Sequence, residues 1–331
     1  MRTKKQKRKT GRIVLLIIIA IVLAFAVYVF LDHFLGNDGD SGESEVAVTE
    51  GEPYEPDTSA DPVEPEEDDS PFDASIRALW YFNEENFERY TSFLEKNPRL
   101  PIDDVIWMVE ANLDMQPYSD AVAAIDHDSK TALVNKFHYL ADDFSPSNLV
   151  EIDSTMLLRE AADAMEEMIR AGASEGHTLW VQSGYRSFTA QTSIYNQYSA
   201  NDGQEVADTY SARPGHSEHQ MGLAADFNTI TDAFGETPEG QWAAEYSWIF
   251  GYIMRYTEEN TDITLYRPEP WHFRYIGKEA AQRYHEEEFV SYEEYWVKYV
   301  KYYPPGMEPT DESDESSDES SNESEEELSD N

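Results

Sequence analysis

The chain has 331 residues, no cysteine and a formal net charge of -43 at pH 7. The absence of cysteine excludes disulfide bonds and cysteine-ligated zinc sites, so a bound metal needs His, Asp or Glu ligands. The negative charge argues against nucleic acid as a partner, because phosphate binding requires a basic surface.

The beginning of the chain has the pattern of a membrane anchor. Residues 1–12 contain seven basic and no acidic side chains, and residues 13–31 form an uncharged, largely apolar run. Nineteen residues in a helix span roughly 29 Å, about one hydrocarbon core. Since basic flanks stay in the cytoplasm, we expect a single-pass anchor in the cell membrane, with the rest of the chain extracytoplasmic. The alternative is a cleaved signal peptide, because Ala24-Phe25-Ala26 resembles a cleavage site.

Two acidic segments flank the central part of the chain. Residues 36–73 contain 15 acidic and no basic side chains, and residues 304–331 contain 12 acidic and no basic ones. Such segments bury too little apolar surface to offset the entropy of ordering. We therefore predict a disordered linker over residues 32–73, long enough to let an anchored domain reach into a cell wall, and a disordered tail over residues 304–331.

Amphipathic segments indicate folded structure between these two regions. Residues 74–130 are predicted to form a helical lead-in, and residues 131–303 the main domain. The predicted helices include Asn83–Lys96, Ile102–Leu113, Thr155–Ala171, Trp242–Tyr256, Lys278–Glu288 and Tyr292–Tyr302, and the predicted strands include Leu223–Phe227, Ile263–Tyr266 and Trp271–Tyr275.

Two histidines in the main domain have carboxylates at useful spacings. His219 is followed seven residues later by Asp226, with Gly222 between them to bend the chain, and His272 follows further along. Catalytic zinc takes three protein ligands and keeps one position for water. We therefore predict that His219, Asp226 and His272 hold Zn²⁺.

A base and a cationic donor complete the predicted site. Glu269 lies three residues before His272, with Pro270 excluding an ordinary helix interior, and it is the candidate base for the attacking water. Arg186 lies on a turn after a predicted strand and offers a permanent charge, either to a developing oxyanion or to a terminal carboxylate of the substrate. Glu218 is interpreted as a structural residue, since Glu269 holds the position beside the third ligand.

Three stretches carry a family resemblance. Residues 183–191 read SGYRSFTAQ, residues 217–226 read SEHQMGLAAD, and residues 269–272 read EPWH. In this order they resemble the SGYRSxxxQ, SxHxxGxAxD and ExxH motifs of the VanY-type D-alanyl-D-alanine carboxypeptidases, which belong to the hedgehog-like zinc peptidases. The resemblance covers roughly residues 130–285 and only weakly covers residues 76–130.

The resemblance implies an α+β fold of the hedgehog/D-Ala-D-Ala-peptidase type, a small antiparallel sheet flanked by helices. It also implies peptidoglycan stem peptides as substrate. The site residues that it implies are His219, Asp226 and His272 as zinc ligands, Glu269 as base, Arg186 as transition-state stabiliser, and Ser217 and Gln191 as substrate contacts.

The combined prediction is a membrane-anchored zinc carboxypeptidase that removes C-terminal D-alanine from these peptides. Two alternatives remain open at this point. One is an L,D-carboxypeptidase that acts on the tetrapeptide stem, and the other is a non-catalytic wall-binding module of the same fold. The intact Glu269 argues against the binding module, which has no need of a base.

Overall fold

A four-stranded antiparallel sheet lies at the centre of the structure, a computed structural model that describes residues 71–307. The strands are β1 (Val122–Ala123), β2 (His138–Tyr139), β3 (Leu149–Ile152), β4 (Thr155–Leu158), β5 (Val181–Ser183), β6 (Ala224–Phe227), β7 (Tyr252–Met254) and β8 (His272–Tyr275). The central sheet has the order β5-β6-β8-β7. A parallel pair β1-β2 and an antiparallel hairpin β3-β4 lie outside it.

The register of the central sheet decides which side chains meet. Asp226 on β6 lies directly opposite His272 on β8. Because side chains alternate between the two faces of a strand, His272 and Arg274 lie on one face and Phe273 lies on the other. The sheet therefore carries an apolar face and a polar face, and both are buried.

Helices make up much of the described chain besides the strands. They are α1 (Ala74–Arg77), α2 (Phe87–Lys96), α3 (Ile102–Glu110), α4 (Arg159–Ser174), α5 (Phe188–Asp202), α6 (Gln204–Ala207), α7 (Pro238–Tyr246), α8 (Thr261–Thr264), α9 (Lys278–Glu286) and α10 (Tyr292–Trp296). A π-helical turn, Val297–Lys301, continues α10.

Two clusters of buried apolar side chains hold these elements together. The first, which we call the sheet core, packs the apolar face of the sheet against α4 and α7, with Met165, Trp242 and Phe273 among its members. The second, the helical core, joins α3 to α9 and α10 and includes Ile106 and Tyr292. The lead-in helices are thus packed against the end of the described chain.

The predicted helix Thr155–Ala171 is wrong at its start. Residues Thr155–Leu158 form β4, and the helix runs over Arg159–Ser174 instead. The reason is local: Asp153 adopts a left-handed backbone conformation with φ of 49°, and the resulting tight turn pairs Ile152 with Thr155. A helical pattern of apolar residues could not reveal this turn.

Two further predicted elements differ from the structure. The segment predicted as a helix over Trp242–Tyr256 breaks at Gly251, which has a φ of 86°, and then continues as β7. The segment predicted as a strand over Ile263–Tyr266 instead overlaps the end of α8, which follows a capping box between Thr257 and Asn260. The strands predicted near residues 223–227 and 271–275 are confirmed as β6 and β8.

The predicted membrane anchor at residues 13–31 lies outside the described residues, as do the basic segment before it and most of the linker and the tail. Within residues 71–307, no helix combines the length and the apolar character needed to cross a bilayer. The anchor stays a prediction from the sequence.

Candidate metal centre and active-site cleft

The structure brings the three predicted ligands together. One nitrogen or oxygen atom from each of His219, Asp226 and His272 lies within 4.8 Å of the others. The Nδ1 atom of His272 is 3.2 Å from Oδ1 of Asp226, and Nε2 of His219 is 3.4 Å from Oδ2 of the same carboxylate. All three side chains are buried.

Backbone geometry explains why these residues meet. His219 lies in a single 3₁₀ turn, Glu218–Met221, which ends at Gly222. Gly222 has a φ of 69°, a left-handed conformation that glycine adopts without strain, and the chain there reverses into β6. Asp226 on β6 then faces His272, its register partner on β8.

Hydrogen bonds turn specific ring and carboxylate atoms toward the cluster. The Nδ1 atom of His219 donates to the carbonyl oxygen of Gly184 at 2.7 Å, which leaves Nε2 free to act as a ligand. Within residues 71–307, neither that Nε2 atom nor Oδ1 of Asp226 has a hydrogen-bond partner. A buried unpaired polar atom costs about 1–3 kcal/mol, and a cation would satisfy both atoms at once. Two imidazoles and a carboxylate also form a donor set suited to zinc, so the residues fit the predicted metal.

Glu269 borders the metal cluster without belonging to it. Its Oε2 atom lies 3.7 Å from Nδ1 of His272, and its side chain is buried at the wall of the cleft. Burial raises the pKa of Glu269 to about 7, with the nearby Asp226 adding to the effect and His272 opposing it. A carboxylate poised near neutrality can both accept and return a proton.

The surroundings of His272 are anionic. Burial alone would lower the pKa of this imidazole, but the facing carboxylates of Asp226 and Glu218 outweigh burial and raise the pKa to about 9. Two carboxylates therefore face the His272 ring, and carboxylates next to a buried nitrogen ligand favour a bound cation.

A cleft of about 360 Å³ opens onto this cluster. Every residue that the sequence predicted for the site lines it. These are the three ligands His219, Asp226 and His272, together with Glu269, Arg186, Ser217 and Gln191.

The other predicted site residues, Arg186, Gln191 and Ser217, are each held in place by a different backbone feature. The backbone of Arg186 is fixed through a hydrogen bond from its N–H to the carbonyl oxygen of His219, at 3.1 Å, while its Nε atom has no partner within residues 71–307. Gln191 lies on α5 and donates from Nε2 to the carbonyl oxygen of Ala212 at 2.7 Å. Ser217 is buried immediately before the turn that carries His219.

Sequence reasoning missed part of the cleft wall. Arg267 lies beside the EPWH stretch and Trp271 lies within it, and those positions were the available signal for both. The others come from separate elements with no shared motif, so nothing in the sequence linked them to the site. They include Tyr198, Asp202, Tyr210, Tyr256 and Tyr266.

Comparisons with known proteins identify the family. The family model described as VanY, D-alanyl-D-alanine carboxypeptidase, matches residues 154–278. The Bacillus subtilis protein YodJ, named as a carboxypeptidase, is 38% identical over 186 residues, which cover 51% of this chain and 68% of YodJ. The chain belongs to the VanY family. As a VanY-family protein it is an enzyme, a carboxypeptidase that acts on peptidoglycan peptides.

Other relatives of this VanY-family enzyme agree on the class of activity. A D-alanyl-D-alanine carboxypeptidase of Enterococcus faecium is 34% identical over 152 residues, 45% of this chain and 47% of that protein. The chain thus spans about half the length of this relative. The solved structure of the LdcB LD-carboxypeptidase is 36% identical, with a TM-score of 0.51, over 54% of this chain and 90% of that one. The mixed helix and sheet architecture is therefore similar to that of LdcB, as the predicted fold class requires.

Proposed function

We propose that this chain is a zinc-dependent D-alanyl-D-alanine carboxypeptidase that trims C-terminal D-alanine from peptidoglycan stem peptides. The observation that carries the proposal is that four groups meet in one cleft. They are Nε2 of His219 and Oδ1 of Asp226, which have no hydrogen-bond partner among the described residues, together with the His272 ring and the Glu269 carboxylate with its raised pKa. His219, Asp226 and His272 would hold the zinc ion. When bound, zinc would polarise the scissile carbonyl and favour ionisation of the attacking water.

The chain's own side chains would handle the proton and the charge. Glu269 accepts the proton of the attacking water and gives it to the leaving amine nitrogen as the carbon–nitrogen bond breaks. The products are the shortened peptide, with a new carboxylate, and free D-alanine. Arg186, on the same cleft wall, donates to the oxygen on which charge develops.

The full-length chain tests this proposal directly. We expect D-alanine release from a pentapeptide stem with zinc present, and loss of release when a chelator removes the metal. Glu269→Gln keeps the side-chain volume but removes the base, so turnover should fall roughly 10²–10⁴-fold while zinc remains bound. The matched control is Glu259→Gln, an exposed position outside the cleft, which should leave turnover unchanged. Zinc-loaded wild-type protein that releases D-alanine from neither pentapeptide nor tetrapeptide would rule the proposal out.

A second candidate reaction rests on the likeness to the LdcB LD-carboxypeptidase. In that case the substrate is the tetrapeptide stem, and the bond broken joins an L-centre to the terminal D-alanine. Measuring kcat/KM for matched pentapeptide and tetrapeptide substrates separates the two reactions. A preference for the pentapeptide supports the D,D-activity, and a preference for the tetrapeptide replaces it with the L,D-activity.

We also propose that residues 13–31 anchor the enzyme in the cell membrane and place the domain on the cell-wall side. The support is the basic cluster before an uncharged run of membrane-spanning length. Fractionation of cells that produce the full-length chain should recover it with membranes, and external protease should remove the catalytic domain from intact protoplasts. Recovery of a shortened protein in the medium would favour the cleaved signal peptide instead.

A further inference from the structure

Glu218 is a buried carboxylate beside the metal cluster that the proposed reaction does not use. It directly precedes His219, and its side chain is fully shielded from solvent. An isolated buried charge is costly, so its partners must offset the loss of hydration. Each of its two carboxylate oxygens has its own hydrogen-bond partners.

One oxygen of Glu218 binds arginines and the other binds a metal ligand. Its Oε1 atom accepts from Nε of Arg255 at 2.8 Å and from Nη1 of Arg274 at 3.1 Å. Its Oε2 atom lies 3.2 Å from Nε2 of His272. The arginines fix the carboxylate, and the carboxylate in turn meets the ring nitrogen that points away from the cluster.

This contact selects a tautomer of His272. A carboxylate only accepts hydrogen bonds, so in the neutral ring that binds a metal Nε2 must carry the proton, and Nδ1 keeps its lone pair toward Asp226. For His219, the carbonyl oxygen of Gly184 does the same at the opposite ring nitrogen. The two imidazoles are thus oriented by different partners, one neutral and one charged.

The residues that hold Glu218 in place include some outside the region matched by the family model. Arg255 donates hydrogen bonds to both carboxylate oxygens of Glu293 on α10, at 2.6 and 3.0 Å. Asn135 donates to the same Glu293 carboxylate at 3.1 Å. The Arg255, Glu218 and Glu293 side chains are all fully shielded from solvent. Both Glu293 and Asn135 lie outside residues 154–278.

We infer that Glu218 is a positioning residue that holds His272 in its metal-binding tautomer, and that Glu293 on α10 holds Glu218 in place through Arg255. The inference rests on the metal site proposed above. It assigns the segment after the family-matched region a part in metal binding, although that segment supplies no ligand.

Zinc affinity of the full-length chain, measured by competition with a chromophoric chelator, tests the inference. Glu218→Gln keeps the shape of the side chain but replaces one carboxylate oxygen with an NH₂ group. That group donates hydrogen bonds, whereas His272 and the two arginines need an acceptor at this position. We expect it to weaken zinc binding about 10–100-fold, the range for losing a group that orients a ligand. Glu293→Gln should weaken it in the same direction and by less, because it acts through Arg255.

The matched control is Glu110→Gln. Glu110 is equally buried and is bound by Lys301 and Tyr302 in the helical core. Its replacement should lower thermal stability without changing zinc affinity, which separates a general loss of stability from a specific effect on the site. Nitrogen NMR of the metal-free chain, recorded at a pH above the His272 pKa of about 9 so that the ring is neutral, gives a second readout. The neutral His272 should carry its proton on Nε2 in the wild type and lose that preference in Glu218→Gln.

The possible outcomes are distinguishable. If wild-type protein fails to bind zinc, the proposed metal site and this inference both fall. If wild type binds zinc and a folded Glu218→Gln variant binds it equally tightly, only the inference falls. If that variant does not fold, two other results would overturn the inference. One is a neutral wild-type His272 that carries its proton on Nδ1, and the other is a Glu293→Gln variant with unchanged zinc affinity.

Discussion

At the scale of single residues, the site depends on which atom of each side chain is free. His219 and His272 present different ring nitrogens to the cluster, because hydrogen bonds occupy the other nitrogen in each ring. Arg186 is similar, because its backbone N–H donates to the carbonyl oxygen of His219 while its Nε atom has no hydrogen-bond partner within the described chain. The backbone position of Arg186 is therefore fixed, while its Nε atom still has a hydrogen-bond donor to offer in the cleft wall.

The role of Arg186 can be tested by replacing it with Gln. Loss of a donor to the developing oxyanion should lower kcat roughly 10²–10³-fold, with a smaller change in KM. If the guanidinium instead clamps the terminal carboxylate of the substrate, KM should rise and kcat should hold. Steady-state kinetics with the better of the two stem peptides distinguishes these roles. Unchanged kcat and KM would remove Arg186 from the site altogether.

At the scale of elements, one turn and one pair of strands assemble the cluster. The turn Glu218–Met221 delivers His219, and the pairing of β6 with β8 delivers Asp226 and His272. Gly222 joins the turn to β6, and its carbonyl oxygen accepts from the N–H of Leu158 on the β3-β4 hairpin at 2.8 Å. The hairpin is thus packed directly behind the ligand-bearing turn.

Gly222→Ala should therefore damage both stability and metal binding. The new Cβ would lie 2.7 Å from Cδ2 of Leu149 and 3.1 Å from the backbone nitrogen of Leu158, on top of the strain of a φ of 69°. We expect a loss of about 1–3 kcal/mol in the free energy of unfolding, together with weaker zinc binding. The control is Gly176→Ala, where φ is 90° but, among the described residues, only Gly176 and its chain neighbours lie within 4 Å of the new Cβ. It should cost only the backbone strain, and equal effects of the two variants would contradict this account.

At the scale of the whole molecule, the helical core connects the lead-in helices to the site. It includes Ile106 and Trp107 of α3, and also Ile253 of β7 and Ile276 directly after β8. The strands that carry or border the ligands are thus packed on one side against residues far outside the family-matched region. We infer that the lead-in helices are needed for a stable site.

The variant Ile106→Ala tests this coupling. Ile106 is fully buried, so the cavity should cost about 2–5 kcal/mol in the free energy of unfolding. Because the helical core reaches β7 and the end of β8, loss of secondary structure and loss of bound zinc should occur in one transition, at a lower temperature than in the wild type. Circular dichroism and release of zinc to an indicator dye measure the two events.

The matched control for this variant is Ile125→Ala, which removes the same atoms at a position that is 50% exposed. It should change the free energy of unfolding by less than about 0.5 kcal/mol. A melting transition of Ile106→Ala in which zinc is retained after the helices have unfolded would show that the lead-in is an independent accessory.

The residues that carry the chemistry of the site could be predicted from the chain alone. His219, Asp226, His272 and Glu269 stand in short motifs whose residue types and spacing are local properties, and the strands predicted near residues 223–227 and 271–275 carry two of them, Asp226 and His272. How these motifs meet depends on the tertiary structure. The register that sets Asp226 opposite His272, the aromatic wall of the cleft and the link from Glu218 to Glu293 all join residues far apart in the chain. The left-handed conformation of Asp153 makes a local turn between β3 and β4, and Gly251 leads into β7, which pairs with the distant β8. The apolar pattern of a predicted helix contains neither turn.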